Sequence, residues 1–407
     1  MSKGKQIILG VTGGIAAYKA VELVRQLSKR GVQLQVIMTK NAQQFVTPLT
    51  FQTVSGNPVY TDLFASFQPE VTHISLADRA DLLLIAPATA NIIAKIAYGL
   101  ADDLLSTVAL ATTAPVLIAP AMNVKMWENP VVTHNLEILR GRGFRIIEPV
   151  TGELACGYEG KGRLAEIETI VEEALSLLSP KDFKGEKIII TAGPTQESLD
   201  PIRILTNRSS GKMGYALAHA AYRRGAEVIL ISGPTHLTPP PHLHAISVTN
   251  SYEMYRAVMD HYQSSTIVIK AAAVSDYRPK KSFKDKMKKT HKIYTMELER
   301  NPDILYQLGK HKDHRILVGF AAETTNLISN AKSKLDKKNL DLIVVNSALQ
   351  RGGGFGSDSN EVTLIDHEGK INALPLMDKE ELADKILDKI KQLKTEKPTS
   401  SPPPTTA

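Results

Sequence analysis

Cysteine is almost missing from this sequence. Its 407 residues contain one, Cys156, so an intrachain disulfide and a cysteine-rich zinc site are both excluded, and that thiol is left to packing or to chemistry. A membrane-crossing run is missing too. The closest stretch, residues 104–122, carries Ser106, Thr107, Thr112 and Thr113 and is broken by Pro115 and Pro120, which suits buried strand and helix pieces. A strand-like run begins already at Gln6 and leaves no room for a secretory leader, so the expectation is a cytoplasmic protein. Two nucleotide fingerprints are also absent. Gly10-Val11-Thr12-Gly13-Gly14 lacks the G-x-G-x-x-G spacing of a dinucleotide site. Ser210-Gly211-Lys212-Met213-Gly214 is no P-loop, because Thr206 stands where its first glycine belongs and Met213 replaces Ser or Thr.

What is present is ordinary for a globular protein: 43% hydrophobic and 22% charged residues, in a chain long enough for two cores. The net charge of +7 suits anionic ligands such as phosphates. Residues 6–11 and 187–191 read as strands. Each is followed by a small-residue turn, a helical pattern (15–29 and 213–224) and another strand (34–38 and 227–232). Further strands are expected at 82–86, 116–119, 266–270, 316–320 and 342–346. The expected fold class is α/β, with two tandem Rossmann-like domains built on mainly parallel sheets, residues 1–180 and 185–394. The polar segment 179–185 divides them, and the Pro- and Thr-rich residues 395–407 are expected to be a disordered tail.

In the first half, Gly10, Thr12, Gly13 and Gly14 lie between a strand and a helix, where backbone amides can approach a mononucleotide phosphate; a simple tight turn is the competing explanation. Pro87-Ala88-Thr89-Ala90-Asn91 and Pro120-Ala121-Met122-Asn123-Val124-Lys125-Met126-Trp127 each follow a buried strand, where open sheets bind ligands. The second segment resembles the hallmark Pro-x-Met-Asn-x-x-Met-Trp of the flavin-binding cysteine decarboxylases. The first is similar to their Pro-Ala-Ser-Ala-Asn-Thr motif, with Thr89 for serine and Ile92 for threonine. That resemblance implies FMN held by Gly10, Thr12, Gly13, Gly14, Thr39, Pro87, Ala88, Thr89 and Ser106. It also implies His73 as the active-site histidine, Asn123 on the substrate carboxylate, and Cys156 as proton donor. Each residue has a bland alternative: a structural histidine in a strand-like run, an asparagine that caps, a buried thiol. Cys156 lies in TGELACGYEGKGR, where Gly152, Gly157, Gly160 and Gly162 disfavour a packed element and suggest a lid.

In the second half, Ala192-Gly193-Pro194-Thr195, Leu199-Asp200-Pro201-Ile202-Arg203 and Asn207-Arg208-Ser209-Ser210-Gly211-Lys212-Met213-Gly214 follow in order. Then come residues 271–277 (AAAVSDY), Lys286-Met287-Lys288-Lys289, Asn301-Pro302-Asp303-Ile304 and residues 319–324 (GFAAET). This order of motifs closely resembles the phosphopantothenate–cysteine ligases and covers nearly all of the half. The resemblance implies activation of 4'-phosphopantothenate by CTP with Mg²⁺, then attack by cysteine. Asn207 would act on the acyl-cytidylate and Lys286 would support catalysis from a flexible loop. Lys270, Ala271, Ala272, Asp276, Lys286, Pro302, Asp303, Ile304, Leu305, Phe320, Lys334 and Lys338 would bind CTP. Residues 279–292 hold seven lysines, yet only Phe283 interleaves them, so a loop that folds over triphosphate explains them better than nucleic acid does.

The resemblances together imply an enzyme of coenzyme A biosynthesis that makes 4'-phosphopantothenoylcysteine and decarboxylates it, with no nucleic-acid or membrane partner. They also imply a homo-oligomer, with a trimeric or dodecameric decarboxylase core and paired ligase domains. A flavin-binding regulatory subunit is the alternative of another class; it predicts loss of His73, Asn123 or Cys156, and all three are present.

Overall fold

The segments QIILGV and KIIITA are too apolar for a strand with one wet face, and each runs through the middle of a parallel sheet with packing on both sides. They belong to two separate units, Met1–Pro180 and Lys181–Ala407, of a computed structural model that describes residues 4–64, 72–153, 159–240, 243–288, 293–323, 325–347 and 356–396.

The first unit runs β1 (Gln6–Val11), α1 (Ala17–Lys29), β2 (Gln33–Met38), α2 (Pro48–Ser55), β3 (Val59–Tyr60), α3 (Thr72–Arg79), β4 (Leu82–Ala88) and α4 (Ala90–Tyr98). It continues with α5 (Leu104–Ala111), β5 (Val116–Pro120), α6 (Val124–Trp127), α7 (Pro130–Gly141), β6 (Arg145–Ile146), β7 (Val150–Glu153), β8 (Glu159–Arg163) and α8 (Ile167–Leu178). Its six-stranded sheet has the order β3-β2-β1-β4-β5-β6, and every pairing is parallel. Ile7, Leu9 and Val11 face α1 and α8, while Ile8 faces the layer of α4, α5 and α7, as strand alternation requires. In α1, Ala17, Ala20, Leu23, Val24 and Leu27 recur at helical spacing and are fully buried.

The second unit runs β9 (Lys187–Ala192), β10 (Gln196–Ser198), β11 (Ile204–Thr206), α9 (Lys212–Arg223), β12 (Glu227–Ser232), β13 (His244–Ser247), α10 (Ser251–Tyr262) and β14 (Ile267–Lys270). Then come β15 (Tyr277–Pro279), β16 (Leu298–Arg300), α11 (Ile304–Lys310), β17 (Ile316–Glu323), α12 (Leu327–Lys337), β18 (Leu342–Ser347), β19 (Ser359–Asp366), β20 (Ile371–Asp378) and α13 (Lys379–Glu396). The sheet order is β13-β12-β9-β14-β17-β18-β19-β20. Pairing is parallel as far as β18 and antiparallel beyond it, so this sheet is mixed. The β19–β20 hairpin was not foreseen, because alternating strands with one wet face carry a weaker apolar signal than buried ones. Helix α13 was not foreseen either, although Leu382, Ala383, Ile386, Leu387, Ile390 and Leu393 recur at helical spacing. Helix α13 includes Thr395 and Glu396, so the expected tail starts two residues early; residues 397–407 lie outside the described set.

The start of the second unit is locked into its own core. Arg224 is 1% exposed, donates to both carboxylate oxygens of Asp182 (2.9 and 2.7 Å) and to Asp388 (2.9 Å), and stacks on Phe183 at 4.9 Å. A guanidinium with fixed, planar donors is the cation that tolerates such burial when paired.

Candidate functional site

In the first unit, the chain leaves β1 and enters α1 through Thr12–Ala16, a stretch without a charged residue. The Thr12 hydroxyl is buried there. It donates to the Pro87 carbonyl (2.7 Å) and accepts from the Thr89 amide (3.0 Å), fixing the β1–α1 turn to the β4–α4 turn. Thr39 joins the same edge, with its amide on the Val11 carbonyl at 3.1 Å. Neither Ala16 at α1 nor Thr89 at α4 caps its helix with a side chain. In α1 the Ala17 and Lys19 amides already donate to the Gly14 and Ala16 carbonyls (2.9 and 3.0 Å), so the first turn of α4 is the better placed to offer amides to an anion at the carboxyl edge. Not all three turn glycines are there for a ligand. A Cβ on Gly10 would sit 2.4 Å from Leu105 and one on Gly13 2.4 Å from Asn41, so these two are required by packing; only Gly14 has room, with Thr89 at 3.7 Å. The Ser106 hydroxyl is 1% exposed and spent on a capping box with Asp103. The Asp103 carboxyl, despite burial that raises its pKa, is held below its usual range by Lys95 and by Ser106.

Two expectations around this edge are corrected. The strand through His73 is a helix: Leu76 and Ala77 are buried on one face of α3, and the β-branched residues around His73 mimicked a strand. Helix α3 precedes β4 in a parallel sheet, so its first turn, with half-buried His73, falls at the carboxyl edge. Gly152, Gly160 and Gly162 do not mark an unpacked segment, while Gly157 and the centre of the expected lid lie outside the described residues. Antiparallel β7 and β8 form a hairpin whose Gly162 carbonyl accepts from the Met122 amide at 2.9 Å. A Cβ on Gly162 would lie 2.3 Å from the Met122 carbonyl and one on Gly160 2.8 Å from Val124, so glycine is what lets the hairpin lie on the β5–α6 turn. That turn presents Asn123, whose Oδ1 accepts from the Lys125 amide (2.9 Å) and caps α6. Cys156 lies between the two hairpin strands, outside the described residues.

In the second unit, the residues between β9 and α9 converge with those after β14. Asn207 Nδ2 donates to the carbonyls of Ala273 (3.3 Å) and Val274 (3.1 Å). Thr195 Oγ1 accepts from the Ser275 amide (3.0 Å), and its carbonyl accepts from Thr206 Oγ1 (2.7 Å). Asn301 ties in the next motif through the Ser275 carbonyl (2.8 Å). Beside this knot is a cleft lined by Ser209–Gly214 at the start of α9, by Ala271–Ala273, by Phe320 and by Lys379. Lys212 pairs with Asp358 at 2.6 Å, and Lys379 is 9% exposed.

A second basic cluster stands at the end of β14. Burial pushes the Lys270 ammonium down to about 8, and Lys338 pushes it the same way; Asp303, Asp276 and Lys334 complete the surroundings. Lys338 pairs with Asp303 at 2.9 Å and Lys334 with Glu323 at 2.6 Å. Ile304 and Leu305 are buried in the core behind this cluster, so any ligand contact there comes from the main chain. Pro302 precedes the Asp303 cap of α11. Lys286 is exposed on a loop held elsewhere, at Asp200, and is not among the residues that line the cleft. Sequence patterns missed Lys379 and Asn346. Asn346 could have been found, because it ends an expected strand at the carboxyl edge. Lys379 reaches the cleft only through the antiparallel extension of the sheet. Among the described residues no group of three or more His, Cys, Asp or Glu side chains could hold a metal, and no helix is long and apolar enough to cross a membrane.

A Rossmann-ordered parallel sheet with an anion-ready edge, followed by a lysine-lined cleft in a second unit, defines a two-part enzyme of the flavoprotein class. Residues 1–179 match the family model described as Flavoprotein, and residues 183–393 match the one described as DNA/pantothenate metabolism flavoprotein C-terminal domain. The chain is 50% identical over 398 residues to the coenzyme A biosynthesis bifunctional protein CoaBC of Bacillus subtilis (strain 168), covering 97% of this chain and 98% of that one. It is 47% identical over 393 residues to the Escherichia coli (strain K12) protein of the same description, covering 95% and 97%. A solved structure described as the C-terminal domain of coenzyme A biosynthesis bifunctional protein CoaBC is 45% identical; it covers 53% of this chain and 100% of that one, with a TM-score of 0.46. The chain belongs to the bifunctional coenzyme A biosynthesis family and carries both its flavoprotein decarboxylase domain and its ligase domain.

Proposed function

We propose that the second unit joins cysteine to 4'-phosphopantothenate at the expense of CTP and that the first unit, with FMN, decarboxylates the product to 4'-phosphopantetheine. The observation that carries this reading is the convergence of Asn207, Ala273–Val274 and the Ser209–Gly214 turn at one strand end. A carboxylate forms no amide at neutral pH without a leaving group. Its oxygen attacks the α-phosphorus of CTP and expels pyrophosphate; the cysteine amine then attacks the acyl carbon and expels CMP. Lys270, Lys334 and Lys338 neutralise phosphate charge, Lys286 does so from its loop, and Asn207 donates to the acyl-cytidylate. Asp276, Pro302, Asp303 and the main chain of 304–305 frame the nucleotide. Mg²⁺ enters as part of the nucleotide substrate.

The first unit fits FMN: its turn is uncharged, Gly14 leaves space, and the first turn of α4, without a side-chain cap, offers amides to one phosphate. When bound, FMN supplies the two-electron acceptor and donor that loss of carbon dioxide from a cysteine carboxylate requires. Thr12, Thr39, Pro87, Ala88 and Thr89 form its cradle. Asn123, with its amide plane fixed by the cap to Lys125, holds the substrate carboxylate; His73 orients the thiol; Cys156 returns a proton. We place the enzyme in the cytoplasm as a homo-oligomer, trimeric or dodecameric through the first unit and dimeric through the second, which analytical ultracentrifugation measures. Mass spectrometry of products from phosphopantothenate, cysteine, CTP and Mg²⁺ tests the whole reading. Phosphopantetheine with CMP and pyrophosphate is expected; absence of CMP, with ATP as well as CTP, would contradict the ligase half.

A further inference from the structure

Asp200 lies in the loop between β10 and β11, where carboxylates ordinarily face water, yet its side chain has 0% exposure. A buried carboxylate is tolerated only when its oxygens are filled. Here each oxygen has two donors, and the two pairs do different work. Oδ1 accepts from the amides of Ile202 (2.8 Å) and Arg203 (2.7 Å), closing a local turn. Oδ2 accepts from Arg203 Nη1 (2.8 Å) and from the Met287 amide (3.1 Å), 87 residues along the chain. Arg203 Nη1 also donates to the Met287 carbonyl at 3.3 Å. Four residues before Met287, the Phe283 amide donates to the Leu199 carbonyl at 2.9 Å. The stretch from Phe283 to Met287 is therefore an arch pinned at both ends to residues 199–203, and exposed Lys286 stands on it. Burial raises the Asp200 pKa, but the Ile202, Arg203 and Met287 amides and the Arg203 charge outweigh it, so the carboxyl is held below its usual range and stays ionised at neutral pH.

We propose that Asp200 is a positioning residue of the ligase half: through the Met287 amide it pins the arch that carries Lys286, so that the lysine meets nucleotide phosphate from a preset place. The proposal rests on the assignment of Lys286 to the nucleotide site. Ordering a lysine-rich loop only when substrate arrives would cost affinity and rate; an arch fixed beforehand removes that cost. The same carboxylate oxygen fixes the Arg203 guanidinium, so loop and arginine are set together.

Asp200→Asn separates the two jobs. One amide oxygen keeps the local turn, while the amide nitrogen faces the Met287 and Arg203 donors and repels them. In the full-length enzyme we expect kcat for CMP release to fall roughly 10- to 100-fold, the size of one charge-assisted hydrogen bond lost at a positioning site. Trypsin should cut faster at Lys284, Lys286 and Lys288, and Asp200→Glu should recover part of the rate. The decisive readout is coupling. In a Lys286→Ala background, Asp200→Asn should lower kcat little further, because both changes remove one device. Met287→Pro deletes the same N–H from the other side and should show the same non-additivity, which keeps the test alive if Asp200→Asn folds poorly. An equal loss in both backgrounds would overturn the proposal, as would a wild-type rate and tryptic pattern in Asp200→Asn. No CMP from the unmutated enzyme would instead mean that the ligase reading itself fails.

Discussion

The two units open alike, with an apolar central strand, a glycine-containing turn and a buried helix, yet they spend the turn differently. In the first, Thr12–Ala16 connects strand to helix directly, carries no charge, and is fixed by one buried hydroxyl. In the second, residues 193–211 intervene, with the β10–β11 hairpin between strand and helix, and they bring Asp200, Arg203, Arg208 and Asn207. A short neutral turn can only bind: its amides suit one phosphate on a cofactor whose chemistry is its own. A long charged turn can also act, because it places donors around a developing oxyanion and a polyphosphate.

Changes confined to one turn should leave the other unit's activity intact. The largest effect is expected from Gly162→Ala. Its Cβ would meet main chain, not a movable side-chain tip, so the β7–β8 hairpin must leave the β5–α6 turn. Decarboxylation of supplied phosphopantothenoylcysteine should fall by about 100-fold or more, measured as carbon dioxide release, with CMP formation unchanged. Thr12→Val comes next. It orphans the Pro87 carbonyl and the Thr89 amide, which costs about 2 kcal/mol, read as roughly 30-fold weaker flavin binding by fluorescence titration.

A pH series sharpens the contrast further. Lys270 has a free-enzyme pKa of about 8, and bound phosphate raises it. Below that pH the lysine is charged before and after binding. Above it, binding takes up a proton, so CTP affinity should fall by up to about tenfold per pH unit, followed by calorimetry in buffers of different ionisation enthalpy. No titratable residue occurs between Val11 and Ala16, so flavin affinity should stay flat from about pH 7 to 9. The smallest effect is on stability. Asp182→Ala takes the bidentate partner from buried Arg224 but leaves Asp388, and should destabilise the second unit by roughly 2 kcal/mol while the calorimetric transition of the first stays put.

The parallel cores were legible because strands buried on both faces, such as Leu82–Ala88 and Val116–Pro120, show as unbroken apolar runs. Short or half-wet elements were not. QES, YRP and LER leave almost no periodic trace, and these small hairpins build the loops of the second unit. Motif spacing led to Asn207 and the 271–274 turn without revealing that one side-chain amide bonds both carbonyls. It could not reveal Asp200, whose importance lies in a contact 87 residues distant. Glycines misled in the other direction: Gly10, Gly13 and Gly162 serve close packing, which a sequence cannot tell from loop flexibility or ligand approach.

The central claim is that one chain carries two separable sites. It is tested most directly by a reciprocal pair, Cys156→Ser and Asn207→Asp, each assayed for both half-reactions by mass spectrometry. Asn207→Asp replaces an amide donor with a carboxylate facing the Ala273 and Val274 carbonyls, so ligation should drop by about 100-fold or more while supplied phosphopantothenoylcysteine is still decarboxylated. Cys156→Ser should ligate normally and accumulate phosphopantothenoylcysteine or its unreduced decarboxylation product. Loss of both activities from either substitution, in protein that still folds and binds flavin, would contradict the assignment of two sites.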